Sequence, residues 1–186
     1  MIAIVNGGNA GSVKKVFDYL GEESFITDRP DDVISADRLV FPGVGNFGEV
    51  MKNLKEKKLD IAITEFICKG KPFFGICVGL QVLFEKSEES QNVKGVKGLG
   101  ILKGNVVRFI SGKIPQIGWN KTKYGYVYFV NSYYAIPKDK SIADSTSDYF
   151  GEFTASIKKG NVFATQFHPE KSGVVGISII KEWLSC

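Results

Sequence analysis

Apolar positions along this chain fall into two textures. In the first half, short uninterrupted apolar runs alternate with amphipathic stretches: Ile2 to Val5 precedes Val13 to Leu20, Arg38 to Phe41 precedes Phe47 to Leu54 and Leu59 to Ile67, and Phe73 to Ile76 precedes Val78 to Phe84. A strand buried on both faces reads as a continuous apolar run, and a helix after each run returns the chain to a parallel neighbour. Beyond Gly100 the texture changes to alternating segments, Val106 to Ile110, Tyr126 to Val130, Phe153 to Ile157 and Val162 to Gln166, separated by Gly, Lys, Asp and Ser clusters. These predict antiparallel or mixed strands. Ser172 to Leu184 reads as an amphipathic helix, with Ser172 as its N-cap and Val175, Ile177, Ile179, Ile180 and Leu184 as its apolar face. The pattern predicts an α/β fold: a mostly parallel central sheet flanked by helices, with a smaller antiparallel or mixed sheet in the C-terminal half.

Composition narrows this picture. The 186 residues suit one domain spanning 1–186. A hydrophobic share of 44% and a charged share of 24% match ordinary globular proteins, and no segment reaches the roughly 18 to 20 apolar residues of a membrane span. The N-terminus begins as a strand, with no basic region or small-residue cleavage site, so a cytoplasmic protein is expected. Lysines are scattered rather than clustered and net charge is only +4, which argues against a nucleic-acid groove. The three cysteines, Cys68, Cys77 and Cys186, are odd in number and lack zinc-site or disulfide-framework spacing, leaving a thiol free for chemistry.

Candidate chemistry gathers at predicted strand ends, where α/β sheets form their sites. Cys77 lies between glycines in Gly75-Ile76-Cys77-Val78-Gly79, the G-x-C-x-G form of a nucleophile elbow, at the start of a predicted helix whose unpaired N–H groups favour thiolate. The alternative is an inert buried cysteine. His168 is the chain's one histidine and follows the last apolar run; Glu170, two positions on, shares its face if the backbone is extended, and can orient the imidazole. The alternative for His168 is a satisfied polar residue at a strand end. Pro42-Gly43-Val44-Gly45-Asn46 also follows an apolar run, and its glycines let backbone amides approach a developing oxyanion. Asn6-Gly7-Gly8-Asn9-Ala10-Gly11 lacks the endings of a phosphate loop and is discounted as one.

Taken together, Pro42-Gly43-Val44-Gly45, Gly75-Ile76-Cys77-Val78-Gly79-Leu80-Gln81 and Gln166-Phe167-His168-Pro169-Glu170-Lys171-Ser172-Gly173 resemble class I, triad-type glutamine amidotransferases. Four further segments narrow the resemblance to glutaminase subunits of imidazole glycerol phosphate synthase in histidine biosynthesis. They are Ser87-Glu88-Glu89-Ser90, Gly98-Leu99-Gly100-Ile101, Pro115-Gln116-Ile117-Gly118-Trp119-Asn120 and Tyr128-Phe129-Val130-Asn131-Ser132-Tyr133-Tyr134. The resemblance implies hydrolysis of L-glutamine to glutamate and ammonia, with Cys77 as nucleophile, His168 as proton carrier and Glu170 as its orienter. It implies oxyanion contacts near Gly43, Val44, Gly45 and Val78, and glutamine contacts from Gln81, Glu89, Asn131, Ser132 and Tyr133. It implies neither metal nor organic cofactor, and a heterodimer with a (β/α)8-barrel cyclase subunit that receives the ammonia.

The chain departs from the family pattern in two places. Asn131 stands where the family commonly has histidine, and Val5-Asn6-Gly7-Gly8-Asn9 is one residue shorter than the usual Asp-Tyr-Gly-x-Gly-Asn turn. Both leave the triad intact and bear on the partner. The alternatives are a paralogue feeding ammonia to a sugar amidotransferase of surface-glycan synthesis, a non-catalytic regulatory subunit, and a stand-alone cysteine hydrolase.

Overall fold

The computed structural model describes residues 1–89 and 95–185, so Ser90 and Cys186 lie outside the described residues. The first half runs β1 (Ile2–Val5), α1 (Ala10–Leu20), β2 (Ser24–Thr27), α2 (Pro30–Ser35), β3 (Arg38–Gly43), α3 (Phe47–Glu56), α4 (Leu59–Cys68), β4 (Phe73–Cys77) and α5 (Val78–Gln81). There follow β5 (Lys86–Ser87), β6 (Val96–Lys97), β7 (Gly104–Arg108), β8 (Gln116–Thr122), β9 (Gly125–Asn131), β10 (Tyr133–Pro137), β11 (Ala143–Asp148), β12 (Glu152–Lys159), β13 (Val162–Thr165) and α6 (Gly173–Leu184).

Seven strands form the main sheet in the order β11-β12-β13-β4-β3-β1-β2. The run from β2 through β1, β3 and β4 to β13 is parallel, and β12 and β11 continue it antiparallel. The α/β architecture is the predicted one, with a change of membership: Phe153 to Ile157, in β12, and Val162 to Thr165, in β13, extend the main sheet rather than joining the smaller one, and β13 pairs parallel with Phe73 to Ile76. Strand texture alone does not reveal direction, because a parallel strand entering from a hairpin looks like its antiparallel neighbour. The smaller elements are a mixed four-stranded sheet, β10-β7-β5-β6, and the β8–β9 hairpin.

Burial explains why the parallel strands hold. Every residue of β1 and β4 is buried, and Phe41, Phe73 and Phe74 lie in one continuous core with Phe17, Phe66 and Trp183 from the covering helices. At roughly 25 cal/mol per Å² of apolar surface, each such ring is worth a few kcal/mol. The predicted helix from Val78 to Phe84 is only one turn long, ending at Gln81. The carbonyls of Val82, Leu83 and Phe84 instead accept from Leu99, Leu102 and Gly100, so the apolar run continues as buried irregular chain. β2 and α2 in the first half, and β5, β6, β8, β10 and β11 in the second, were not anticipated. No helix among the described residues is long and apolar enough to cross a membrane.

Candidate active site

The parallel strands end on one edge, and β3, β4 and β13 deliver Gly43, Cys77 and the segment leading to His168 to it. Cys77 adopts φ 56° and ψ −109°, a left-handed backbone that a side-chain-bearing residue holds only under local compulsion. The compulsion comes from close packing of backbones. A Cβ on Gly79 would lie 1.9 Å from the Phe41 carbonyl oxygen, and one on Gly75 would lie 2.5 Å from the Gly79 oxygen. The G-x-C-x-G spacing thus lets β4 turn sharply against β3 and hold the sulfur at the cavity wall.

Beyond β13 the chain bends at Gln166 and Phe167, so that neighbouring side chains leave it in different directions. Phe167 is fully buried against Phe129 and Tyr124, while Gln166 and His168 turn toward Cys77. The backbone of His168 is pinned on both sides: its N–H donates to the Tyr128 carbonyl at 2.9 Å, and its carbonyl accepts from the Ser172 hydroxyl at 2.6 Å. That hydroxyl accepts in turn from the Tyr128 N–H at 3.0 Å. Ser172 occupies the N-cap position of α6 but caps nothing with its side chain; its oxygen is committed to the histidine loop.

His168 Nδ1 is 2.7 Å from Glu170 Oε1, with both side chains buried. The link between them is a 3-10 turn over Pro169–Lys171 rather than the extended backbone expected from the sequence. Burial disfavours the charged imidazole, but hydrogen bonds to Cys77 and Glu170, and their charges, outweigh it and raise His168 to about 10. Glu170 Oε1 also accepts from Asn9 Nδ2 at 2.6 Å, while its Oε2 is buried without a hydrogen-bond partner among the described residues.

A cavity of about 290 Å³ opens above the sulfur, near the lower end of ligand-pocket sizes. Val44, Gly45, Cys77, Val78, Gln81, Glu89, Asn131, Ser132, Tyr133 and His168 all line it, together with Pro115, Val130 and Lys171. Gly43 and Glu170 stand behind that lining. Gly43 leaves room for Val78, whose Cβ would come within 2.9 Å of an added methyl. One expectation changes: the Val44 N–H donates to the Gly7 carbonyl at 3.2 Å and is thereby taken from the cavity, although Val44 itself lines the wall. Glu89 accepts from the Phe47 N–H at 2.9 Å, and burial raises its carboxyl above the usual range despite that bond. Gln81 Nε2 reaches the Tyr133 carbonyl at 3.1 Å and Gln166 Oε1 at 3.0 Å. Asn131 Nδ2 reaches the same carbonyl at 3.0 Å.

Asn9 and Gln166 were given no role from sequence. Asn9 lies in a glycine turn read only against phosphate loops, and its partner is 161 residues away. Gln166 was legible as part of a motif, yet its amide geometry needed the fold.

Residues 15–184 match the model of the class-I glutamine amidotransferase family. The chain belongs to that family. It is 42% identical over 203 residues to imidazole glycerol phosphate synthase subunit HisH 1 of Methanococcus maripaludis, covering 99% of this chain and 98% of that protein. It is also 42% identical over 194 residues to the chloroplastic imidazole glycerol phosphate synthase hisHF of Arabidopsis thaliana, covering 95% of this chain and 32% of that one. Among solved structures, a glutamine amidotransferase crystal structure superposes with a TM-score of 0.75 at 18% identity, covering 99% of this chain and 97% of the other. That last likeness concerns the fold. As a class-I glutamine amidotransferase the protein is an enzyme that takes nitrogen from glutamine.

Proposed function

We propose that the protein is the glutaminase subunit of an imidazole glycerol phosphate synthase, and that Cys77, His168 and Glu170 carry the hydrolysis. The observation that carries the catalytic reading is the Cys77 elbow joined to a buried imidazole that is itself held by a buried carboxylate. The subunit reading is supported by the near full-length identity to the Methanococcus maripaludis protein bearing that name.

In the proposed reaction the Cys77 thiolate attacks the side-chain carbonyl carbon of glutamine, forming a C–S bond and an oxyanion. Backbone amides at Gly45 and Val78, on the cavity wall, are the proposed donors to it. The imidazolium of His168 gives its proton to the leaving nitrogen, the C–N bond breaks, and ammonia departs from a γ-glutamyl thioester. Water then attacks the thioester while His168 takes its proton, the C–S bond breaks, and glutamate leaves with thiolate and imidazolium restored. Glu170 stays ionised and stabilises the charged imidazole. For the substrate's own ammonium, Glu89 offers negative charge and Gln81, with its amide nitrogen committed, offers its oxygen.

The proposed partner is a (β/α)8-barrel cyclase subunit, and a surface fits that role. On the β8–β9 hairpin, Ile117 pairs with Val130, Trp119 with Tyr128 and Lys121 with Tyr126, all on one face. Ile117, Trp119 and Tyr126 are more than half exposed, whereas Val130, opposite Ile117 on the same face, lines the cavity. An exposed apolar strip leading from the sulfur's wall to the surface is where a partner would receive ammonia without loss to water. Two-thirds of the Arabidopsis thaliana chain lies outside its alignment with this one, which supports a working unit larger than this chain.

The test is glutamate release and glutamine-dependent cyclisation by the protein mixed with a cyclase barrel. Glutamine should support both, and Cys77→Ala should abolish both while leaving synthesis from added ammonium intact. Glutamine-dependent synthesis surviving Cys77→Ala would exclude the reading.

A further inference from the structure

We propose that Gln166 is a further catalytic residue, donating a hydrogen bond from its side-chain amide to the Cys77 sulfur and holding that sulfur as thiolate. The inference rests on the reading of Cys77 as the nucleophile. Gln166 is completely buried, and its Nε2 lies 3.6 Å from Sγ, the length of an N–H···S hydrogen bond.

Neighbouring groups force the orientation of this amide. The Tyr133 carbonyl can only accept, so Gln81 must turn its NH2 group toward it. The same Gln81 nitrogen lies 3.0 Å from the Gln166 side chain, which must therefore present its carbonyl oxygen there. The Gln166 NH2 group is left facing the sulfur. Turning Gln166 over would set two NH2 groups against each other and aim an oxygen lone pair at the thiolate. Gln81 is thus a positioning residue for Gln166, one step removed from the reacting atom.

Chemistry gives this donor a role His168 does not fill. Burial penalises a thiolate, and a hydrogen bond to the charged form offsets the penalty. His168 surrenders its proton to the leaving group during the cycle, whereas an amide keeps both hydrogens throughout. The contact weakens when sulfur becomes part of the neutral thioester and strengthens when the C–S bond breaks, so it favours both formation of the nucleophile and its release. Titratable groups on the cavity wall are His168, Glu89, Tyr133 and Lys171, with Glu170 behind His168. Gln166 adds a dipole without adding a charge.

The experiment follows alkylation of Cys77 by iodoacetamide against pH, read by peptide mass spectrometry, beside glutaminase kinetics of the protein with its synthase partner. Gln166→Met should raise the midpoint of Cys77 alkylation by about 1 to 2 pH units, the equivalent of one hydrogen bond to a charged acceptor. kcat should fall about 10-fold or more with KM within about twofold, the signature of a contact to the reacting atom. Gln166→Glu keeps the acceptor for Gln81 but replaces the donor by an anion, and should shift the midpoint further. In the unmutated protein, the Gln166 side-chain amide proton resonances should move with Cys77 ionisation and stay still in Cys77→Ala. An unmoved midpoint in a folded Gln166 variant, or amide resonances indifferent to Cys77, would overturn the proposal. Glutaminase activity that survives Cys77→Ala would instead remove the nucleophile reading beneath it.

Discussion

Asn9 and His168 share one oxygen: the side-chain amide of Asn9 and the Nδ1 of His168 both meet Oε1 of Glu170, at 2.6 and 2.7 Å. The turn after β1 thereby reaches the carboxylate that holds His168. Asn9 has φ 57°, so Asn9→Gly removes the amide while keeping a backbone that glycine adopts freely. It should lower kcat about 3- to 10-fold with KM unchanged, about 1 kcal/mol for one lost hydrogen bond that acts on the imidazole only through Glu170. Asn9→Asp sets a second carboxylate against Glu170 and should cost more, with partial recovery as pH falls. Steady-state glutaminase assays of both variants check this; equal activity in Asn9→Asp and the unmutated protein would contradict it.

Stability should carry the signature of His168. Its folded-state value is raised from 6.5 to about 10, so the folded state binds a proton more tightly than the unfolded chain does. The resulting stabilisation is complete below about pH 6.5 and is lost as pH rises through about 10. The gap in Tm between the unmutated protein and His168→Gln should therefore narrow steadily between pH 6 and pH 10. A gap that widens over that interval would show that the buried imidazole is held neutral.

Gly79→Ala is expected to unfold the elbow rather than adjust it. The added methyl would lie 1.9 Å from the Phe41 carbonyl oxygen, a contact with backbone that no rotamer relieves. A loss of roughly 3 kcal/mol or more follows from overpacking at so rigid a point. Chemical denaturation measures it, and a loss below about 1 kcal/mol would mean that β3 and β4 separate easily.

Trp119→Ala tests the docking face. Its ring is over half exposed and meets Tyr128 edge-on at 6.0 Å, a rigid apolar projection of the kind that anchors interfaces. Affinity for the cyclase subunit should drop about 10- to 100-fold, or 1.4 to roughly 3 kcal/mol, with Tm nearly unchanged. Calorimetric titration reads the affinity and a thermal scan the Tm; unaltered affinity would move the interface elsewhere.

The parts of the fold legible in the sequence are those whose burial is complete. Ile2–Val5, residues 39–43 and Phe73–Cys77 carry no charged residue because both faces of these strands are covered, and each strand was predicted within two residues. Ser24–Thr27 escaped notice as a half-exposed edge strand with only Thr27 buried. Val82 to Phe84 misled for the opposite reason: completely buried loop and helix look alike when only hydrophobicity is read. At the site, Cys77, His168 and Glu170 were visible through residue type and spacing. Asn9, Gln166 and the second use of Ser172 were not, since each acts through a contact set by tertiary geometry.

β13 is among the last elements along the chain, yet it lies inside the main sheet, flanked by β4 and β12. The strand that carries Gln166 and His168 toward Cys77 is also the one that joins the parallel strands to the antiparallel ones. On the proposed reading, a chain with only its first four strands in place would hold Cys77 without the histidine that serves it, so the activity waits for β13 to enter between β4 and β12.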